Sequence, residues 1–139
     1  MKRIRVLLAV AVLAALVPGS SRAATTVQVF MSLNRFCTTP VCAANENVTI
    51  AAGDTVEWVF SDPECVAFHA VGCYHTSTAL RNDGSVRWTS PAMPGPPPTL
   101  GAPSPVLAYA RTFNAAGTFG YFCAVHAGGG MTATVIVQG

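Results

Sequence analysis

Charge is what this chain has least of. Among 139 residues there are 8 Lys or Arg and 6 Asp or Glu, and the only lysine is Lys2. Lys2, Arg3, Arg5 and Arg22 all lie in the first stretch of the chain, so residues 24–139 keep four arginines against six acids, a net charge of −2. The apparent basicity of the whole sequence therefore belongs to its N-terminus. That distribution excludes a nucleic-acid footprint, which needs clustered Lys and Arg. Long apolar runs are missing as well. The longest, Val6 to Val17, has 12 residues, well short of the roughly 20 a membrane-spanning helix requires. No segment carries a sustained helical repeat of apolar residues, which turns the reading away from a helical bundle.

What is present first is an address. Lys2, Arg3 and Arg5 precede the apolar run, and Pro18-Gly19-Ser20-Ser21-Arg22-Ala23 follows it. This is the layout of a secretory signal with a small-residue cleavage site after Ala23. Residues 1–23 are therefore expected to be removed, leaving residues 24–139 as one exported domain, periplasmic or secreted, with no membrane span. The cysteines agree with that compartment. There are five, Cys37, Cys42, Cys65, Cys73 and Cys123, and in an exported protein four can pair in three ways with one left over. Short loops cost the least closure entropy, so Cys37–Cys42 and Cys65–Cys73 are the expected bridges. The leftover thiol, Cys123, then needs an occupant.

Short strands punctuated by turn residues fill the rest. Thr26–Met31, Val48–Ala51, Thr55–Phe60, Ser85–Trp88, Tyr109–Asn114, the approach to Phe122 and Thr132–Val137 all read as strands. The clearest is Thr55–Phe60, whose alternation sends Val56, Trp58 and Phe60 inward. Asn34–Asn47 reads as a polar loop and Asp62-Pro63-Glu64 as a turn. Pro91–Pro105 holds seven of the ten prolines, which suits an extended surface crossing and not a sheet interior.

The most informative stretch is Tyr121-Phe122-Cys123-Ala124-Val125-His126-Ala127-Gly128-Gly129-Gly130-Met131. It spaces a thiol, an imidazole and a thioether as Cys-x2-His-x4-Met, with a glycine run to let the loop close. Soft sulfur donors with imidazole select copper or zinc, and a methionine in the set argues for copper. The stretch resembles the metal loop of the cupredoxins, plastocyanin and pseudoazurin in particular, and the likeness extends over about Val27 to Val137, including Gly53-Asp54-Thr55-Val56-Glu57-Trp58.

That resemblance implies an all-β, Greek-key sandwich of about seven to eight strands, binding one copper ion as Cu(I) or Cu(II). It implies Cys123, His126 and Met131 as three of four ligands. The fourth has two candidates. His75-Thr76-Ser77-Thr78 is similar to the family segment that carries the first histidine, which favours His75, while His69 lies in Ala67-Phe68-His69-Ala70 without that context. The gap from Gly53-Asp54 to His75 is longer than the family's usual one, and Cys65 and Cys73 bracket the excess. Thr76 and Val125 fall in the shell around the ligands, and the backbone N–H of Val125, where the family commonly has proline, is expected to point at the Cys123 sulfur.

Four protein donors leave no open position, so a carrier of single electrons is implied and not an enzyme. Its partners would be redox proteins met transiently through a small apolar patch near His126, with the carrier itself a monomer. The same ligands would also serve a copper-holding or copper-delivering protein, and a metal-free binding or structural sandwich is the third alternative.

Overall fold

Alternation along the chain decides which side chains meet. In Thr55–Phe60 the residues Val56, Trp58 and Phe60 are buried, while Thr55, Glu57 and Val59 are only half-buried. Thr132–Gln138 behaves the same way, with Ala133, Val135 and Val137 turned inward. The two faces built by such strands close on each other. In this computed structural model residues 22–62, 74–93 and 107–139 are described. Within them lie nine strands: β1 Thr26–Ser32, β2 Arg35–Cys37, β3 Val48–Ala51, β4 Thr55–Phe60, β5 Thr78–Leu80, β6 Val86–Thr89, β7 Ala108–Thr112, β8 Gly117–Phe122 and β9 Thr132–Gln138.

They form two mixed sheets. One runs β2-β1-β4-β7 and the other β3-β9-β8-β5-β6. The pairs β1/β4 and β3/β9 are parallel, and the remaining pairs are antiparallel. Trp58 links the layers from the first sheet. Its ring meets Tyr121 edge-on at 5.3 Å and lies 6.1 Å from Trp88, both on the second sheet. Aromatic pairs at such separations add stabilisation beyond the area they bury.

Three expectations are corrected. Strand β2 lies inside the stretch read as a polar loop, because a two-residue turn at Leu33-Asn34 folds Arg35–Cys37 back onto β1. Both turn residues have positive φ, 48° and 60°, the primed hairpin geometry that ordinarily calls for Asn or Gly. Leu33 gives no such signal. Strand β5 follows the histidine segment and pairs with both β6 and β8. With these two, nine strands lie among the described residues, close to the seven to eight expected. Finally, Met93, inside the proline-rich stretch, is fully buried and bridges to His75 through backbone hydrogen bonds of 2.8 and 2.9 Å.

Candidate metal centre

The loop between β8 and β9 is built by its own backbone. His126 N–H donates to the Cys123 carbonyl at 3.1 Å, closing a turn directly after β8. A short 3-10 turn, Ala127–Gly129, follows, and Gly130 ends it at φ 80°. Of the three glycines, Gly130 is the one held in the left-handed region that disfavours a Cβ. The Cys123 N–H then donates to the Met131 carbonyl at 3.0 Å, pinning both ends of the loop together. Cys123 and Met131 are both fully buried, whereas His126 is half-buried among the exposed Ala124, Val125, Ala127 and Gly128.

His75 arrives from the other side, in the short link before β5. Its backbone is fixed by the bridge to Met93, and its side chain is buried. The Nδ1 atoms of His126 and His75 lie 3.5 and 3.9 Å from Cys123 Sγ. The ligating atoms of all three residues sit within 4.8 Å of one another. A thiolate at about 2.3 Å and an imidazole at about 2.0 Å from one ion, at trigonal to tetrahedral angles, would stand about 3.5–3.7 Å apart. The donor set therefore fits a single soft-to-borderline ion without rearrangement of the chain. Burial lowers the pKa of His75 to about 4, and the neighbouring His126 adds to that; Asp62 opposes both. At neutral pH the ring is uncharged, as a metal ligand must be.

The shell around these donors is specific. Thr76 donates its N–H to Cys123 Sγ at 3.4 Å, and its Oγ1 accepts from the Ala124 N–H at 2.8 Å. One residue thus orients the sulfur and the start of the loop together. Thr76 occupies the role expected of Val125. Among the described residues the backbone donor recorded at the sulfur is Thr76, and Val125 stands with its side chain about half exposed. The reason is topological: the link carrying His75 passes behind the sulfur, while Val125 rides on the outside of the Cys123–His126 turn.

Two further residues escaped sequence reasoning. Asn45 accepts from the Phe36 N–H at 3.0 Å and donates to the Gly130 carbonyl at 2.8 Å, tying the β2–β3 connection to the loop. Asp62, read only as a turn residue, is buried with its Oδ2 3.9 Å from His75 Nε2. Neither has a sequence signature: Asn45 reaches a loop 85 positions away, and no local pattern pairs Asp62 with His75. Cys37 and Cys42 form a disulfide, and Cys123 is the free cysteine among the described residues. Residues 1–21, 63–73 (with Cys65, His69 and Cys73) and 94–106 lie outside the described residues.

No family model matches the chain. It is similar to the plastocyanin of Prochlorothrix hollandica, 30% identical over 142 aligned positions that cover 99% of this chain and 94% of that protein. It is 34% identical to the plastocyanin of Scenedesmus fuscus over 96 residues, 66% of this chain and 82% of that one. Among solved structures, amicyanin from Paracoccus versutus superposes with a TM-score of 0.52 at 27% identity, over 89% of this chain and 87% of that one. The Cu(I) form of an amicyanin variant gives the same TM-score at 20% identity, over 81% and 82%.

Proposed function

The chain belongs to the cupredoxin family, on its plastocyanin-like side, and from that membership we propose that it is an exported one-electron carrier holding copper on His75, Cys123, His126 and Met131. The observation that carries this reading is the convergence of two imidazole Nδ1 atoms on one buried thiol, at 3.5 and 3.9 Å. Met131 adds a buried thioether residue at the end of the same loop. Copper held by such donors would supply a couple between Cu(I) and Cu(II), with a potential tuned by the Met131 thioether and by hydrogen bonding at the Cys123 sulfur.

The chain's own residues do the rest. Buried His75 and Cys123 keep water from the donors, and the Thr76 N–H draws density from the sulfur. A ligand set completed by the protein leaves no position for a substrate, so transfer of electrons and not catalysis is its chemistry. His126, half-buried, gives the electron an edge to leave by, and the exposed Ala124, Val125, Ala127 and Gly128 around it suit a small, transient apolar contact with a redox protein. The basic start and apolar run of residues 1–23, and the Cys37–Cys42 disulfide, support export.

The test is to load residues 24–139 with Cu(II) and record the visible spectrum. An intense thiolate-to-copper band, lost in Cys123→Ser and in His75→Ala, is expected, together with repeated reduction and reoxidation without loss of metal. A band that survives Cys123→Ser would sink the ligand assignment. Ready passage of Cu(I) to a competing chelator on each reduction would instead identify a delivery protein.

A further inference from the structure

We propose that Asp62 anchors the metal centre from outside the ligand set, its carboxylate taking the Nε2–H of His75 so that the ring is held in place and the higher oxidation state of the bound metal is favoured. The inference rests on the ligand reading above and extends it to a residue no part of that reading uses.

The geometry points there from several sides. An imidazole has two nitrogens on opposite edges. In His75, Nδ1 faces Cys123 Sγ at 3.9 Å and Nε2 faces Asp62 Oδ2, also at 3.9 Å. Both side chains are shut away from water, at 1% and 6% exposure. Nε2 has no hydrogen-bond partner among the described residues. Once Nδ1 is given to a metal, the ring's one proton must sit on Nε2, and a buried N–H in that position requires an acceptor. Asp62 is the carboxylate recorded within 4 Å of it. The present gap exceeds the roughly 2.7–2.9 Å of a charge-assisted contact by about 1 Å, a displacement within reach of small rotations of the carboxylate and the ring. On the other flank the Phe60 ring lies 5.6 Å from the imidazole and limits its motion.

The carboxylate is itself oriented. Asp62 Oδ2 accepts the N–H of Leu33 at 3.1 Å, the first residue of the β1–β2 turn. Leu33 and Asn34 both hold positive φ, a conformation that costs energy for a branched side chain such as leucine. The turn is therefore kept where its N–H can aim Asp62, and Asp62 in turn faces His75. Carboxylate–histidine–metal chains of this kind fix the ring and make it a stronger donor. A negative charge there favours Cu(II) over Cu(I), so its removal must raise the reduction potential.

The decisive experiment compares the copper-loaded chain with its Asp62→Asn variant, which keeps the shape and can still accept from Leu33. A loss of Cu(II) affinity of about 10-fold relative to Cu(I), in the range typical of such outer partners, would read as an upward shift of about 59 mV for a one-electron couple. In parallel, proton NMR of the Cu(I) form should show a slowly exchanging His75 Nε2–H that moves upfield in Asp62→Asn. A blue wild-type protein whose potential and Nε2–H signal are both unmoved by Asp62→Asn overturns the inference while leaving the proposed function standing. Should the variant fail to fold, the wild-type signal decides, because a rapidly exchanging Nε2–H is incompatible with a buried carboxylate partner. A wild-type chain that takes up no copper overturns both.

Discussion

His75 shows how one buried side chain can set a property of the metal-free protein. Its ordinary pKa is about 6.5, and burial lowers it to about 4 in the fold. Between those values the unfolded chain binds a proton that the folded chain refuses, so stability must rise with pH across that window. The contribution is complete above about pH 6.5 and is lost as pH falls to about 4. At about 1.4 kcal/mol per pH unit it amounts to roughly 3–4 kcal/mol. Urea titrations of the apo-protein at pH 7, 5.5 and 4 should show this slope, and His75→Gln should flatten it. An equal slope in the variant would assign the effect elsewhere. Asp54 does not confuse the measurement. The Arg22 guanidinium, then the N–H groups of Thr25 and Ala51, hold its carboxyl far below the usual range; Arg22 leaves with residues 1–23, and whatever Asp54 then contributes is common to the wild type and His75→Gln and cancels between them. At this scale the sequence was half legible. Cys123, His126 and Met131 share one loop and can be read from spacing, whereas Thr76 and Asn45 act across gaps of 47 and 85 positions, and no local pattern pairs Asp62 with His75.

Among the elements, the segment from β2 to β3 has the least predictable role. Its residues are polar and turn-forming, so it reads as a passive connection. In the fold it carries the Cys37–Cys42 disulfide, returns Glu46 N–H to the Phe36 carbonyl at 2.8 Å, and reaches the metal loop through Asn45. Strands β4 and β9 were legible because alternation survives burial on one face. Strand β2 was not, since three residues are too few to show a period and the turn before it uses Leu33. The disulfide closes a separation of only 5 positions, for which the chain-entropy relation gives about 2 kcal/mol. Replacing both cysteines by alanine should therefore lower the unfolding free energy by about 2 kcal/mol in denaturant titrations, with the slope little changed. A loss several times larger would mean that the bridge holds the metal loop as well as its own, since Asn45 sits just beyond it.

For the molecule as a whole, the scarcity of charge noted in the sequence returns as a prediction about encounters. Residues 24–139 carry four arginines and six acids, a net charge of only −2. Asp54 and Asp62 are buried. Glu46 is engaged by Thr38, and Asp83 by Ser85. The guanidiniums of Arg87 and Arg111 lie over the rings of Phe119 and Trp88 at 5.0 and 4.9 Å. Among the described residues the loop around His126 presents Ala124, Val125, Ala127 and Gly128, all uncharged and exposed. Two copies can therefore bring these ends together with little repulsion to overcome. Electrostatic steering would make an encounter rate fall or rise steeply with ionic strength, whereas contact through an uncharged patch is nearly indifferent to it. Electron self-exchange between the oxidised and reduced copper-loaded protein should accordingly change by less than about 2-fold as ionic strength rises from about 0.01 to 0.15 M, over which the Debye length falls from about 30 to 8 Å. Line broadening in NMR spectra of mixed oxidation states measures that rate directly. A severalfold change over the same range would show that charge and not the apolar end governs the encounter. Val125→Asp supplies the control: placing an acid on each of the two facing surfaces should slow the exchange at low salt, and added salt should restore it.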